Sequence, residues 1–155
     1  MTTPAEFQRD PATLDLYKLA VEMADRVSAR RGATNSFYLT LQSALLTALG
    51  FLTSGARTPD RWVLVGVCGA GVATSATWFL LLRSYRDLNR AKYAVIVKME
   101  AHLPHSVFGD EWQSLKEDPI PRWRPRYAEF GTIERVVPGV FLVINILLAI
   151  YLGSL

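Results

Sequence analysis

Residues 36–54, 62–82 and 136–152 of this chain contain no Asp, Glu, Lys or Arg. An α-helix needs about 20 such residues to cross a hydrocarbon core about 30 Å thick. The core helices of a soluble bundle keep a polar stripe, whereas 62–82 is apolar, small or hydroxylic on every side. The chain is therefore expected to be all-α, a polytopic membrane protein with three transmembrane helices.

Charge then orients the spans. A net charge of +3 in 155 residues would point toward nucleic acid in a soluble protein, but here its distribution has another cause. Arg26, Arg30 and Arg31 precede the first span, and Arg83, Arg86, Arg90 and Lys92 follow the second. The link between those spans has only Arg57 and Arg61, and nothing basic follows the third. The positive-inside rule puts the N-terminus and residues 83–135 in the cytoplasm and the C-terminus outside. No nucleic-acid partner is expected. The opening MTTPAEFQRD lacks a basic start and an apolar core, so the first span is expected to act as an uncleaved signal anchor. Cys68 is the single cysteine and lies within the second span; a packing role is expected for it.

Residues 1–11 read as a flexible tail. From Ala12 an apolar pattern of helical spacing begins, with Thr13 placed to cap it. Leu14, Tyr17, Val21 and Ala24 form one line, and Leu16, Leu19, Met23 and Val27 a second, giving a wide buried face. With no proline before the first span, 12–54 is predicted as one nearly continuous helix, cytoplasmic over 12–35 and intramembrane over 36–54. Ser54, Gly55, Thr58, Pro59 and Asp60 form a turn, and Trp62 marks the outer interface. The span 62–82 continues into 83–103, where Tyr85, Leu88, Lys92, Val95, Met99 and His102 recur at helical spacing beside Leu88, Ala91, Val95 and Met99. Pro104 ends that helix. The two extensions are predicted to pack as a long antiparallel hairpin in the cytoplasm. Residues 104–135, rich in proline and aromatics with Arg122, Arg124 and Arg126 interleaved, are expected to pack over that hairpin. They offer no sustained helical moment for lying on lipid. The third span, 136–152, holds Pro138 in its first turn.

Chemical signals are sparse. His102 and His105 flank Pro104, which breaks the helix that would align them, and no further Cys or His completes a metal site. Gly66, Gly69 and Gly71 lie inside a span rather than in a phosphate loop. No Ser-His-acid arrangement has a strand-turn-helix context. No enzyme activity, metal or cofactor is expected. Packing signals are stronger: Gly66, Ala70 and Thr74 repeat every four residues, as do Gly69, Ala73 and Thr77, and Thr40, Ala44 and Ala48 form a line in the first span. Small residues at this spacing let helices approach closely in lipid. They are read as a self-association face, the alternative being that they pack the spans of one protomer. Gln42 and Asn145 are amides inside the hydrocarbon that need partners there. A hydrogen bond between them is expected, with lining of a wet pore as the alternative. The belt of Arg26, Arg30, Arg31, Arg83, Arg86, Arg90 and Lys92 reads as a topology signal against lipid phosphates, or, turned inward in a ring, as an anion-attracting vestibule.

Several stretches resemble the RipA family of small octameric bacterial membrane proteins: YKLAVEMADRVSARRGATNSFYLTLQSALL, SYRDLNRAKYAVIVKMEAHLP, and the later EW, YAEF and IERVVP segments. The matching positions are Arg26, Arg30, Arg31, Asn35, Tyr85, Arg86, Asn89, Lys92, Glu111, Trp112 and Glu134. The resemblance implies an octamer in the bacterial inner membrane with a cytoplasmic helical part, and no established activity. On this reading the chain is a homo-oligomeric ring in contact with membrane lipids, channel-like pore or scaffold. The alternatives are a pore-forming effector of a bacterial defence system, or an adaptor whose Trp112 and Trp123 region docks a soluble partner.

Overall fold

A computed structural model describes residues 11–55, 59–117 and 130–154. The described residues form four helices, α1 (Pro11–Ser54), α2 (Arg61–Glu100), α3 (Val107–Glu117) and α4 (Phe130–Ser154), and no strand. Three of them are long and apolar enough to cross a membrane, so the chain is an all-α polytopic membrane protein. The 44 residues of α1 and 40 of α2 extend about 66 and 60 Å at about 1.5 Å per residue. Each is roughly twice the thickness of a hydrocarbon core, because no proline interrupts the passage from the charge-free to the charged half. The expected tail before Pro11, Arg57, and the stretch with Arg122, Trp123, Arg124 and Arg126 lie outside the described residues, as does the side chain of Trp112.

The backbone divides into two compact units. One comprises α1 from Arg31, α2 as far as Ser84, and α4. Here α2 buries Leu64, Cys68, Gly71, Ser75, Trp78 and Leu82, alternating steps of four and three, the spacing of a knobs-into-holes seam. Leu49, Leu64, Cys68 and Leu152 make one apolar cluster, with Val67, Leu148 and Ala149 against it. Further along, Trp78 is fully buried, stacks on Tyr38 at 5.9 Å and donates its indole N–H to Asn35 Oδ1 at 3.1 Å. Pro138 differs in place from its sequence expectation. As α4 begins at Phe130, the proline stands in the helix interior, where it has no N–H to offer the Glu134 carbonyl, and its ring is fully buried.

The other unit comprises α1 to Arg30, α2 from Tyr85, and α3. Its buried seam has Thr13, Ala24 and Val27 on α1 and Ile96 and Glu100 on α2. Thr13 is thus a seam residue inside a helix that starts at Pro11, not its cap; proline suits a first turn, where its missing N–H would have had no partner. The second apolar line expected on α1 is buried only at Val27: Leu16, Leu19 and Met23 remain exposed, as do Leu88 and Val95 on α2. Small Ala24 at the contact lets the helices approach, and the longer side chains flank it.

The segment after Pro104 also departs from its reading as irregular, since Val107–Glu117 is helical. Glu100 fixes its first turn. This carboxylate is almost wholly buried and accepts the N–H groups of Phe108 at 2.9 Å and Gly109 at 3.0 Å and the hydroxyl of Tyr17 at 2.9 Å. Free N–H groups and the helix dipole make this end of a helix favourable for an anion. Tyr93 packs edge-on against Phe108 at 5.6 Å. Replacing Glu100 by Ala leaves buried donors without an acceptor and is expected to cost about 3 kcal/mol. Hydrogen exchange at Phe108 and Gly109 would report the release. Burial, then the Glu100 hydrogen bond and charge, push the Tyr17 phenol from 10.0 up to about 12. Since protonated Tyr17 is the favoured folded form, its contribution is complete below pH 10 and disappears as pH rises through about 12. Alkaline denaturation of Tyr17→Phe is expected to depend less steeply on pH in that window, measured by circular dichroism in detergent.

Candidate functional site

The polar centre of the spanning unit is built on Gln42. Its side chain has no exposed surface, and its Nε2 lies 2.8 Å from Gly71 O, 2.9 Å from Thr74 Oγ1 and 2.6 Å from Ser75 Oγ. Two amide protons are thus shared among three acceptors on one face of α2. Its Oε1 accepts from Asn145 Nδ2 at 3.3 Å, and the same Nδ2 donates to Phe141 O at 2.8 Å. Asn145 is 2% exposed. In hydrocarbon an unsatisfied polar group costs several kcal/mol, which is why these groups converge. They have no titrating proton near neutral pH and no nucleophile activated by a base, so the centre ties α1, α2 and α4 together and offers no acid-base chemistry.

Three glycines of α2 play different parts. At Gly71 a Cβ would overlap the Asn145 carboxamide, with Nδ2 only 2.9 Å away; the absent side chain admits the amide. At Gly66 and Gly69 a Cβ would meet nothing within 4 Å. Gly66, Gly69, Ala70, Ala73 and Thr77 are exposed on the protomer, and so are Thr40, Ala44 and Ala48 of α1. Thr74 sits at the edge of that face and reaches inward to Gln42. The small residues are therefore divided, Gly71 packed inside the protomer and the others open on its outer surface.

The basic residues do not form one set. Arg31 is ion-paired with Glu134, its Nη2 3.2 and 3.1 Å from the two carboxylate oxygens, and both side chains are largely buried. Arg26 pairs with Glu22 at 2.7 Å on the exposed surface, an arrangement worth a few tenths of a kcal/mol. Lys92 and Arg86 are half-buried, while Arg30, Arg83 and Arg90 are exposed. Asn89 Nδ2 donates to Ser28 Oγ at 3.1 Å, and its buried Oδ1 has no donor among the described residues. His102 Nδ1 lies 3.3 Å from Lys98 O, and among the described residues no three metal-ligating side chains cluster.

Sequence reasoning gave Trp78 no role, noted Ser75 only among the small residues of the second span, and noted Glu100 only as an acid close to His102 and His105. A hydroxyl among small residues opposite an intramembrane Gln was the available sign for Ser75. For Glu100 it was an acid one turn before a proline, with Ser106 and Asp110 following as helix-start residues. Ser106 Oγ indeed donates to Asp110 Oδ1 at 2.7 Å.

Two substitutions separate the inner from the outer glycines. Gly71→Ala is expected to destabilise the protomer by about 1–3 kcal/mol through overpacking, whereas Gly66→Ala leaves protomer stability unchanged or slightly higher. Gln42→Leu is expected to cost about 1–2 kcal/mol, the upper end for polar contacts in spans. Reversible unfolding in mixed micelles would measure all three.

No curated protein and no solved structure matches the chain at a significant level. The sequence pattern of the octameric membrane protein family (8xMP) matches residues 14–154. That range takes in nearly all of α1 and the whole of α2, α3 and α4, and the chain therefore belongs to the octameric membrane protein family.

Proposed function

We propose that this chain is the subunit of a homo-oligomeric ring of eight copies, of RipA type, in the bacterial inner membrane. It works there as a non-catalytic scaffold rather than as a conducting pore. The observation that carries this reading is the outward face of α2, where Gly66, Gly69, Ala70 and Ala73 are exposed and open. Apolar burial does not drive helices together in lipid, whereas close backbone approach at small residues does. The family match supplies the number of copies. Orientation follows from the basic residues at the inner ends of α1 and α2, which put the N-terminus and the charged halves of both helices in the cytoplasm and the C-terminus outside.

The scaffold reading is favoured over the pore because the two intramembrane amides bond each other inside the protomer, and a ring lumen would have to be lined by other side chains. Exposed Arg30, Arg83 and Arg90 then contact lipid phosphates. In nanodiscs, native mass spectrometry is expected to give a species of eight chain masses. Gly66→Ile combined with Gly69→Ile is expected to shift it to smaller species without unfolding the protomer, and a wild-type monomer would overturn the assembly. Planar-bilayer recordings are expected to show no unitary currents; reproducible conductance would replace the scaffold by the pore. A Ser154→Cys thiol is expected to react with an impermeant maleimide only from the outside of oriented cells.

A further inference from the structure

In the unit made by α1 to Arg30, α2 from Tyr85 and α3, two opposite sides are apolar and uncovered. The first borders a shallow groove of about 300 Å³ whose walls include Ala20, Met23, Ala91 and Val95. Around it Leu16, Leu19 and Val95 are 58, 50 and 53% exposed. The second side carries Leu14, Val97 and the free edge of Tyr93, all at least one-third exposed. At about 100° per residue, Val95 and Val97 point roughly 160° apart on α2 while lying at almost the same height. Both sets lie outside the charge-free spans, and clustered apolar side chains left exposed mark contact sites.

We propose that these two sides are the two halves of a head-to-tail contact between copies of this chain, the grooved side of one copy receiving the Tyr93–Val97 side of the next. The proposal rests on the ring assembly above. A closed ring larger than a dimer needs two different surfaces facing opposite ways, because a contact of one surface with itself stops at two copies. Rotation about an axis along the membrane normal also keeps equivalent residues at equal heights, which Val95 and Val97 satisfy. The family match identifies the occupant as a second copy of this chain, because in a ring of eight every copy has a neighbour on each side. Lys92 also lines the groove, so the neighbour's side brings apolar groups and tolerates one ammonium at the edge.

The test uses the full chain in nanodiscs in a Cys68→Ala background, with Val95→Cys, Val97→Cys and the double variant treated with a short bismaleimide. A ladder of covalent multimers up to eight copies is expected from the double variant, with under a tenth of that yield from either single variant. A strong dimer band from Val95→Cys alone would mean a self-facing contact and overturn the proposal. Absence of cross-links in all three variants, with eight chain masses still found by native mass spectrometry, would also overturn it, by showing that lipid or another protein covers these sides. A monomeric wild type fails the ring reading itself and is recognised by mass before any cross-linking.

Discussion

An amide in hydrocarbon has no water to fall back on, and Gln42 is such an amide. Its neighbours are arranged around that fact. Gly71 exposes a backbone carbonyl and leaves room for Asn145, Thr74 and Ser75 turn hydroxyls toward it, and Asn145 closes the set from α4. Apolar packing does little to choose between helix registers when lipid is as apolar as leucine. Directional hydrogen bonds do choose, since a shift of one residue would carry Ser75 and Gly71 off the facing side of α2.

The second unit, built from the charged halves of the long helices, meets the same problem with different means. There the hydrophobic effect holds the seam, and the directional element is Glu100, which receives two backbone N–H groups and a phenol. Between them the two units use an uncharged amide in the charge-free halves of the long helices and a carboxylate in the charged halves. This follows the cost of burying charge and matches the charge-free and charged halves of α1 and α2.

Much of the helical framework was legible because its cause is compositional. Three charge-free stretches and the absence of proline between Ala12 and Ser54 and from Arg61 to Leu103 are enough to draw the long helices. What was not legible depends on which partner lies opposite. Gly66 and Gly71 look alike in a list of small residues, and only the position of Asn145 distinguishes the open one from the filled one. Leu16, Leu19 and Met23 have the spacing of a core line, yet they are exposed while small Ala24 is buried and Tyr17 reaches across to Glu100. From sequence Glu100 is only an acid close to two histidines, and its part depends on α3, which supplies the N–H groups that it accepts. Proline content hid that helix, since Val107–Glu117 itself contains none.

The Arg31–Glu134 pair has a bearing on biogenesis. Its members are separated by 103 positions, and a ribosome delivers the N-terminal one first. Arg31 and the Gln42 carbonyl oxygen must therefore wait for the last helix, while the α1–α2 pair already satisfies the Gln42 amide protons through Gly71, Thr74 and Ser75. The insertion of α4 thus completes two polar contacts in one event, one inside the bilayer and one where the span begins. A nascent chain halted before it leaves Arg31 without Glu134 and the Gln42 carbonyl oxygen without Asn145.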